Sequence, residues 1–525
     1  MDYIRVKNNW SFEESSTGKR MIPFGANFCF PYTDQNGKEK NGLGIMVEES
    51  WEPEVILKAF QAATECGMNT MKVFLPVASL LPDPQHGPGA FIVDSLKPSM
   101  FERIRFLFQT AESTGVYISL SSAEWGMNKL AWFQDGGNFF GKTDEKNSDS
   151  FSILYDFWRQ IAAFCQNEPS LFSYNLAVEL YIPGGLGGGH EDPEKHYLFS
   201  EKWGTPAWQK WLVAKYGDIE TVNSLWNKEF SDFNSIGQPL IKWLPAKKTY
   251  TESSAMIADY ESFKECVVYL FLKNQTEAIR SIDKRHMISC GLHPDQPGIG
   301  PIGYAWKNAG MVNKEMDYFD YITVHLYTQI DYLISRPPSS RKTFSDQLIP
   351  FLADEETMER RRRECILYAR FVHADKPVVL EEFGHLSTDY IESVEFTKKL
   401  IESLIGHVSG YQIWNYGSKS EPCDAPMTKD FHPSDFGRDL ARYLSPDGLI
   451  TNMKEDRIPA RTIVKLDRNQ GMAPDQETAG EKIIRCWDAY LHPIDFEWPL
   501  NPEIERYRRE NVRKINIYNR ETQPC

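Results

Sequence analysis

Lys376-Pro-Val-Val-Leu-Glu-Glu-Phe-Gly384 is the stretch on which the prediction of the fold rests. Apolar and β-branched residues follow a proline and end in two carboxylates, which is typical of a short buried parallel strand. Strict alternation places Val378, Leu380 and Glu382 on one face, which we expect to point inward. Glu381 falls on the other face, where it is predicted to bond a helix behind the sheet. A buried strand-end carboxylate is costly unless paired or used, so Glu382 has either a structural partner or a function.

The rest of the chain alternates strand-like and helix-like segments. Short apolar runs bounded by turn residues predict strands, and segments with apolar residues at helical spacing predict helices. Besides the opening stretch, strands are predicted at residues 24–30, 68–75, 116–120, 171–179, 286–292, 318–327 and 410–415. Helices are predicted at residues 51–66, 100–113, 151–165, 256–282, 357–373, 394–405 and 458–465. This alternation predicts an α/β protein with a (β/α)8 TIM barrel.

Two segments depart from the alternation. Residues 181–250 form a long insertion after the fourth strand, helical at its centre and rich in tryptophan. Its Gly-rich start, residues 183–190, lacks the order of a phosphate-binding loop and is predicted to be a mobile loop. Residues 467–525 show no clear periodicity. We therefore expect a catalytic barrel over residues 1–466 and a C-terminal extension, 467–525, packed on it.

Composition excludes several classes of function. A net charge of −15 argues against a nucleic-acid partner, because phosphate binding needs a basic surface. The nine cysteines are scattered without a CxxC motif, so neither a metal site nor a cofactor is predicted. No apolar run reaches the ~18 residues of a membrane span, and no signal peptide is apparent. These features favour a soluble cytoplasmic protein and leave its oligomeric state open.

The carboxyl ends of the predicted strands carry a set of polar side chains. Active sites of such barrels form at this end. Glu179 and Glu382 end the fourth and seventh strands, which lie across the barrel mouth from one another. Two carboxyl groups about 5–5.5 Å apart suit retaining glycoside hydrolysis. The other candidate site residues, all predicted to bind substrate, are Asn27, Lys72, Glu124, Asn175, His293, His325, Tyr327 and Trp414.

The motifs around these carboxylates resemble those of the clan A glycoside hydrolases, particularly family 5, over about residues 5–466. Val379-Leu-Glu-Glu-Phe-Gly384 is similar to the family's nucleophile strand, with Glu382 in the nucleophile position. Tyr174-Asn-Leu-Ala-Val-Glu179 is similar to its acid/base strand. The resemblance therefore implies that Glu382 is the nucleophile and Glu179 the general acid/base.

Other motifs extend the resemblance. His325-Leu-Tyr327 matches the His-x-Tyr of strand six, which implies that Tyr327 donates a hydrogen bond to the nucleophile. Trp414 matches the tryptophan that forms a platform under the sugar, and Gly25-Ala-Asn27 resembles the first-strand Gly-x-Asn. Within the insertion, Trp208-Gln-Lys-Trp-Leu-Val-Ala-Lys-Tyr-Gly217 resembles a segment of family 42 β-galactosidases.

Three positions depart from the family 5 pattern. Val178 stands where an Asn normally precedes the acid/base Glu, and Lys72 stands where the family usually has Arg. A bidentate guanidinium clamp is thereby replaced by a point charge. The third strand ends Ser121-Ser-Ala-Glu124 without the usual His, and Glu124 is the nearest rival of Glu179 as acid/base. These departures imply an altered subsite for the sugar at the cleavage point.

The sequence thus predicts a retaining β-glycoside hydrolase acting on an oligosaccharide or small glycoside. The long connections at residues 181–250 and 328–356 favour a pocket and therefore exo action. One alternative is a non-catalytic carbohydrate-binding protein on a glycosidase-like barrel, which the departures at Val178 and the third strand favour. Another is a metal-dependent hydrolase using His293 and His325, although no HxH on the first strand supports it.

Overall fold

The computed structural model describes much of the barrel and part of the insertion. The described residues are 1–8, 11–77, 98–123, 150–177, 201–239, 243–244, 249–291, 318–327, 376–384, 397, 401, 408–414, 416–417 and 425–443. None of the helices within these ranges combines the length and hydropathy of a membrane-spanning segment.

Strands and helices follow one another along the chain much as the periodicity predicts. The strands are β1 Ile4–Asn8, β2 Ser11–Glu14, β3 Arg20–Met21, β4 Phe24–Asn27, β5 Pro31–Thr33, β6 Glu39–Asn41, β7 Thr70–Pro76, β8 Tyr117–Ala123, β9 Leu171–Asn175, β10 Trp243–Leu244, β11 Thr249–Tyr250, β12 Met287–Ser289, β13 Ile322–Tyr327, β14 Val378–Gly384 and β15 Gly410–Ile413. The helices are α1 Pro53–Glu65, α2 Pro98–Thr114, α3 Ser150–Cys165, α4 Glu201–Tyr216, α5 Ile219–Trp226, α6 Ser254–Arg280 and α7 Asp435–Tyr443.

An eight-stranded parallel sheet forms the centre of the protein, in the order β12-β9-β8-β7-β4-β15-β14-β13. Its two outer strands are joined by bonds that nearly close the ring. The Asp320 N–H donates to the Ile288 carbonyl oxygen at 2.9 Å, and the Thr323 hydroxyl donates to the Cys290 carbonyl oxygen at 2.6 Å. The sheet and its surrounding helices confirm the predicted (β/α)8 barrel.

Alternation along the strands separates an outer apolar layer from the barrel interior. On β7, Met71, Val73 and Leu75 belong to the large buried cluster that also contains Ile56 and Phe60 of α1. Helix α1 has a proline in its first turn and is followed by Gly67 at φ 72°, the left-handed conformation that ends a helix. Apolar side chains at helical spacing are therefore buried against the outward face of the sheet.

The N-terminal end of the barrel is closed by a small antiparallel sheet of β1, β2 and β3. Phe12 on β2 is fully buried and makes edge-to-face contacts with Phe172, at a ring-centroid distance of 5.3 Å, and with Tyr321, at 5.5 Å. Val379 of β14 belongs to the same cluster. This small sheet thus contributes to the apolar floor of the barrel.

Helices α4 and α5 of the insertion pack against α6 through stacked tryptophans. The ring centroid of Trp208 lies 5.4 Å from that of Trp211 and 5.9 Å from that of Trp226. Asp259 of α6 accepts hydrogen bonds from Trp226 Nε1 at 2.7 Å and from the Tyr216 hydroxyl at 2.5 Å. In the described part of the insertion, these tryptophans therefore serve packing.

Several predictions lie outside the described residues. They concern the Gly-rich loop at 183–190, the helices at 357–373 and 458–465, and the extension at 467–525. The division of the chain into a barrel, an insertion and an extension therefore remains a prediction.

Candidate active site

The interior of the barrel above its apolar floor is polar. The Ser121 hydroxyl donates to Asn175 Oδ1 at 2.9 Å, and Asn175 Nδ2 donates to Ser289 Oγ at 3.1 Å. The Ser289 hydroxyl in turn donates to the Tyr321 hydroxyl at 3.0 Å. All four side chains are buried. Donors and acceptors from three strands, and from Tyr321 just before β13, thus form a fixed frame below the mouth of the barrel.

A β-bulge in β14 changes which side chains face this interior. On β13, Val324 pairs with Leu380 but the next residue, His325, pairs with Glu382, so Glu381 is the extra residue. An extra residue interrupts strict alternation. Val378 and Leu380 pack in the outer apolar layer, whereas Val379 joins the barrel floor.

The predicted sidedness of β14 is therefore wrong. Val378 and Leu380 do not share the inner face, and Glu381 does not bond a helix behind the sheet. Its carboxylate instead accepts from Asn175 Nδ2 at 2.7 Å and from Lys72 Nζ at 3.0 Å, with His325 Nε2 at 3.2 Å. Both consecutive glutamates reach the interior because Glu381 is the extra residue, so that alternation is interrupted between Leu380 and Glu382.

Glu381 is ionised and firmly held. Burial alone raises the pKa of its carboxyl group, but the Lys72 ammonium and the His325 ring outweigh burial and hold the pKa below its ordinary value. Its side chain is 1% exposed. Three donors on three other strands thus fix this carboxylate in place.

Glu382 lies one residue nearer the barrel mouth and is also buried. Its Oε2 atom lies 3.2 Å from His325 Nδ1, and its Oε1 atom lies 3.5 Å from Lys72 Nζ. Burial, followed by the charge of Glu382, raises the pKa of the Cys29 thiol to about 12, so this thiol remains protonated. We refer to Lys72, His325, Glu381 and Glu382 together as the charged cluster.

Asn27 serves the backbone of the bulge. Its Nδ2 atom donates to the carbonyl oxygens of Glu381, at 2.9 Å, and Ile413, at 3.2 Å. A bulge leaves a strand carbonyl without its regular ladder partner, and the Asn27 amide satisfies it. Gly25 allows β4 to approach β7, because a Cβ atom there would lie 1.8 Å from the Thr70 carbonyl oxygen. The side chain of Asn27 is fully buried, and its role as a sugar ligand stays a prediction.

Trp414 forms an apolar wall together with Phe74 and Leu43. The rings of Phe74 and Trp414 meet edge to face, with their centroids 6.1 Å apart. Lys72 Nζ lies 5.5 Å from the centroid of the Phe74 ring, so this wall adjoins the charged cluster. Trp414 is only partly buried, as a residue that binds a ligand at the barrel mouth requires.

The structure brings Lys72, Asn175, His325 and Glu382 together, but leaves other predicted site residues untested. Glu124, Glu179 and His293 lie outside the described residues, and only the backbone of Tyr327 is described. Sequence reasoning missed Glu381 and Phe74. The doubled glutamate at the end of an apolar strand was a signal for Glu381, and Phe74 shares the parity of Lys72 on β7.

No group of three or more metal-ligating side chains suited to a metal ion occurs among the described residues. Lys72 lies between the carboxylates of the charged cluster, with contacts of 3.0 and 3.5 Å. An ammonium group of the protein itself thus offsets part of the negative charge of these two carboxylates.

Comparisons with known proteins bear on both fold and family. The glycoside hydrolase family 42 model, described as β-galactosidase, matches residues 191–345, which include α4, α5, α6, β12 and β13. This match confirms the resemblance seen in residues 208–217. A comparison with curated protein sequences gives no match.

Solved structures share the barrel at low sequence identity. A cold-adapted β-galactosidase from Rahnella sp. R3 is 15% identical, with a TM-score of 0.51 over 80% of this chain and 55% of its own. A β-galactosidase from Marinomonas ef1 is 12% identical, with a TM-score of 0.51 over 80% of this chain and 58% of its own. The exo-β-1,4-mannosidase from Opitutaceae bacterium strain TAV5 is 16% identical, with a TM-score of 0.48 over 83% and 62%. The chain thus spans about 55–62% of the length of these proteins.

The two β-galactosidase structures show the shared barrel fold, and the family match lies on the segment that carries part of the insertion and His325. Residues 191–345 are thus similar to the glycoside hydrolase family 42 model, and the barrel of this chain is similar to the barrels of two solved β-galactosidases.

Proposed function

We propose that the chain is a retaining β-glycoside hydrolase in which Glu382 is the nucleophile and Glu179 the general acid/base. Its substrate is an oligosaccharide or a small glycoside from which one terminal sugar is removed. The observation that carries the proposal is the environment of Glu382, a buried carboxylate at the C-terminal end of a barrel strand, within 3.5 Å of both Lys72 and His325.

Nearby cations suit the role of Glu382. A nucleophilic carboxylate must be ionised when substrate binds, and an ammonium group within hydrogen-bonding distance favours the ionised form against burial. The cations also fix the orientation of the carboxylate, which lowers the entropy cost of attack. The neighbouring Glu381 is less suited to attack because its two oxygen atoms already accept from Asn175 and Lys72.

The proposed reaction has two steps. Glu382 attacks the anomeric carbon while Glu179 donates a proton to the departing glycosidic oxygen, which yields a glycosyl ester and an alcohol. A water molecule then gives a proton to Glu179 and attacks the same carbon, which releases the sugar and restores the Glu382 carboxylate. The anomeric configuration is inverted twice and therefore retained.

The apolar wall of Trp414, Phe74 and Leu43 is suited to bind a sugar beside the Glu382 carboxylate. The flat apolar face of a pyranose packs on an aromatic ring, and Trp414 is exposed enough to present one. The length of the connections at residues 181–250 and 328–356 in the sequence favours a pocket, and therefore a terminal sugar as the part of the substrate that is bound. The family 42 match names β-galactosidase, so galactosides are the first substrates to test.

The test is a panel of nitrophenyl β-glycosides, with the first-formed anomer of the product followed by NMR. We expect turnover of at least one member with retention, and its loss in Glu382→Gln. The matched control is Glu277→Gln, an exposed residue of α6, which should leave turnover unchanged. In Glu179→Ala, external azide should restore turnover of substrates with good leaving groups.

Three results would overturn parts of this proposal. Binding of sugars without turnover of any member by the wild type would indicate a non-catalytic carbohydrate-binding protein. Wild-type turnover in Glu382→Gln would remove Glu382 from the reaction. An inverted first product would exclude the double displacement.

A further inference from the structure

His325 lies between two carboxylates. Its Nε2 atom is 3.2 Å from Glu381 Oε2, and its Nδ1 atom is 3.2 Å from Glu382 Oε2. A neutral imidazole carries one N–H donor and one lone pair, so it can donate to only one of these oxygens. The other ring nitrogen would then set a lone pair against a carboxylate oxygen. These two contacts therefore favour an additional proton, either on the ring or on one of the two carboxyl groups.

Lys72 indicates where this proton resides. Its ammonium group lies 3.0 Å from Glu381 and 3.5 Å from Glu382, which favours ionisation of both. Asn175 donates to the Glu381 oxygen that Lys72 does not contact. These donors would lose much of their partner's charge if Glu381 were protonated. The ring of His325 is the position at which a proton improves every contact.

Charge counting leads to the same position. Two carboxylates and one ammonium leave a net charge of −1 in a cluster whose members are 0–2% exposed. An uncompensated buried charge is costly, whereas a balanced and hydrogen-bonded cluster is tolerated. An imidazolium at His325 brings the sum of the charged cluster to zero.

We propose that His325 is an imidazolium in the resting protein, and that Glu381 is the positioning residue that keeps it charged and aimed at Glu382. The charge state of His325 stands on the geometry alone. The consequence for attack by Glu382 rests on the proposed function. Glu381 holds Lys72 and His325 through its own contacts, so both cations stay in place when Glu382 becomes a neutral ester.

Among the residues that the structure describes, the other titratable groups near the cluster do not supply the proton or compete for it. Tyr321 directly precedes β13, and burial, followed by the charge of Glu381, raises the pKa of its hydroxyl above the ordinary value. Cys29 follows β4, and burial together with the charge of Glu382 raises the pKa of its thiol to about 12. Both stay neutral at ordinary pH. On β9 and β12 the facing side chains are Asn175 and Ser289, which do not titrate.

The direct test is NMR of the protein labelled with ¹³C and ¹⁵N in histidine, with the His325 signals assigned through His325→Gln. We expect the wild type to show the imidazolium pattern, both ring nitrogens protonated, from about pH 5 to about pH 8, where an unperturbed histidine loses its charge. His286 is an internal reference, with Nδ1 2.6 Å from Asp283 Oδ2 and Nε2 3.0 Å from the Glu168 carbonyl oxygen. A single neutral tautomer of His325 at pH about 7 in the wild type would overturn the proposal.

Glu381→Gln tests the role of the second carboxylate. Loss of one anion should let His325 release its proton within the neutral range, while the His286 signals remain unchanged. If the protein is a glycosidase, the alkaline limb of kcat/KM should move down by about one pH unit, or about 10-fold in activity above that limb. The matched control is Asp283→Asn, which removes a carboxylate from the distant buried His286 pair and should leave the pH profile and the His325 signals as in the wild type.

The outcomes separate the two proposals. An inactive wild type with His325 charged removes the proposed function and keeps the inference on charge state. A Glu381→Gln variant whose His325 signals and pH profile match the wild type overturns the positioning role. If this variant does not fold, the wild-type spectrum still decides the charge state, and Glu381→Asp, which keeps the charge but shortens the side chain, should keep His325 protonated.

Discussion

Replacement of Lys72 by Met removes an ammonium group that contacts both carboxylates of the charged cluster. The side chain keeps nearly the same length, so the loss of charge dominates the effect. Removal of one partner of a buried ion pair costs about 3–5 kcal/mol because the other partner remains buried and uncompensated. With His325 charged, the cluster would change from a net charge of zero to −1.

The pH dependence gives this prediction its sign. In the wild type, burial opposes ionisation of Glu381, yet Lys72 and His325 hold its pKa below the ordinary 4.5. Its contribution to stability is therefore present above pH 4.5 and is lost as the pH falls through the lower folded-state value. Without Lys72, the cluster binds a proton more tightly than the unfolded chain does. The free energy of unfolding of Lys72→Met should then fall as pH rises, by about 1.4 kcal/mol per unit, until the full cost is reached.

Urea unfolding followed by circular dichroism, at several pH values between about 5 and 8, measures this difference. Lys228→Met is the matched control, because Lys228 is 38% exposed and its pair with Glu252, at 2.9 Å, should contribute at most about 1 kcal/mol. A Lys72→Met variant that loses under about 1 kcal/mol at neutral pH, with the pH slope of the wild type, would refute the charge balance.

Three further changes test separate parts of the fold and site. Phe12→Ala leaves a cavity in the barrel floor and should lower the free energy of unfolding by about 3–5 kcal/mol. At temperatures where the variant is fully folded, kcat should be unchanged. A loss under about 1 kcal/mol in urea unfolding would contradict this prediction. Burial raises the pKa of Asp283, but hydrogen bonding with His286 outweighs it and lowers the pKa to about 2, so its stabilising effect, present above the ordinary 3.8, is lost as pH falls through about 2. In Asp283→Asn, the free energy of unfolding should therefore depend less steeply on pH in the acid range, by the equivalent of about one proton. A pH dependence equal to that of the wild type would contradict this prediction. Phe74→Ala removes the edge-to-face contact that orients Trp414. Loss of an aromatic pair worth about 0.5–1.5 kcal/mol should raise KM by about 2- to 12-fold. An unchanged KM would show that Phe74 does not orient Trp414 for substrate binding.

Local patterns in the sequence predicted the elements of the barrel well. The segments at 51–66 and 100–113 became α1 and α2, with Pro and Gly at their ends, because caps and apolar spacing act within a few residues. The strand at 376–384 was likewise predicted from its proline and its apolar run. Helix α7 was missed, and it lies beyond the last predicted strand.

The sequence predicted which residues lie together in the candidate site better than it predicted how their side chains are arranged. Lys72, Asn175, His325 and Glu382 were expected at strand ends because parallel strands bring their carboxyl ends to one edge. The bulge at Glu381 was not predictable from alternation, since it depends on partners from other strands. Asn27 bonds its carbonyl oxygen, and Lys72, His325 and Asn175 bind its carboxylate. Such contacts arise only after the barrel has closed.

Mass spectrometry of a trapped glycosyl-enzyme tests most directly which of the two adjacent glutamates attacks the sugar. A 2-deoxy-2-fluoro glycoside of an accepted sugar, with a good leaving group, should slow hydrolysis of the ester and leave a covalent label. We expect one label per chain, on Glu382 in the peptide that contains residues 376–384. A label on Glu381, or none from a substrate that the wild type turns over with retention, would contradict the assignment of Glu382 as the nucleophile.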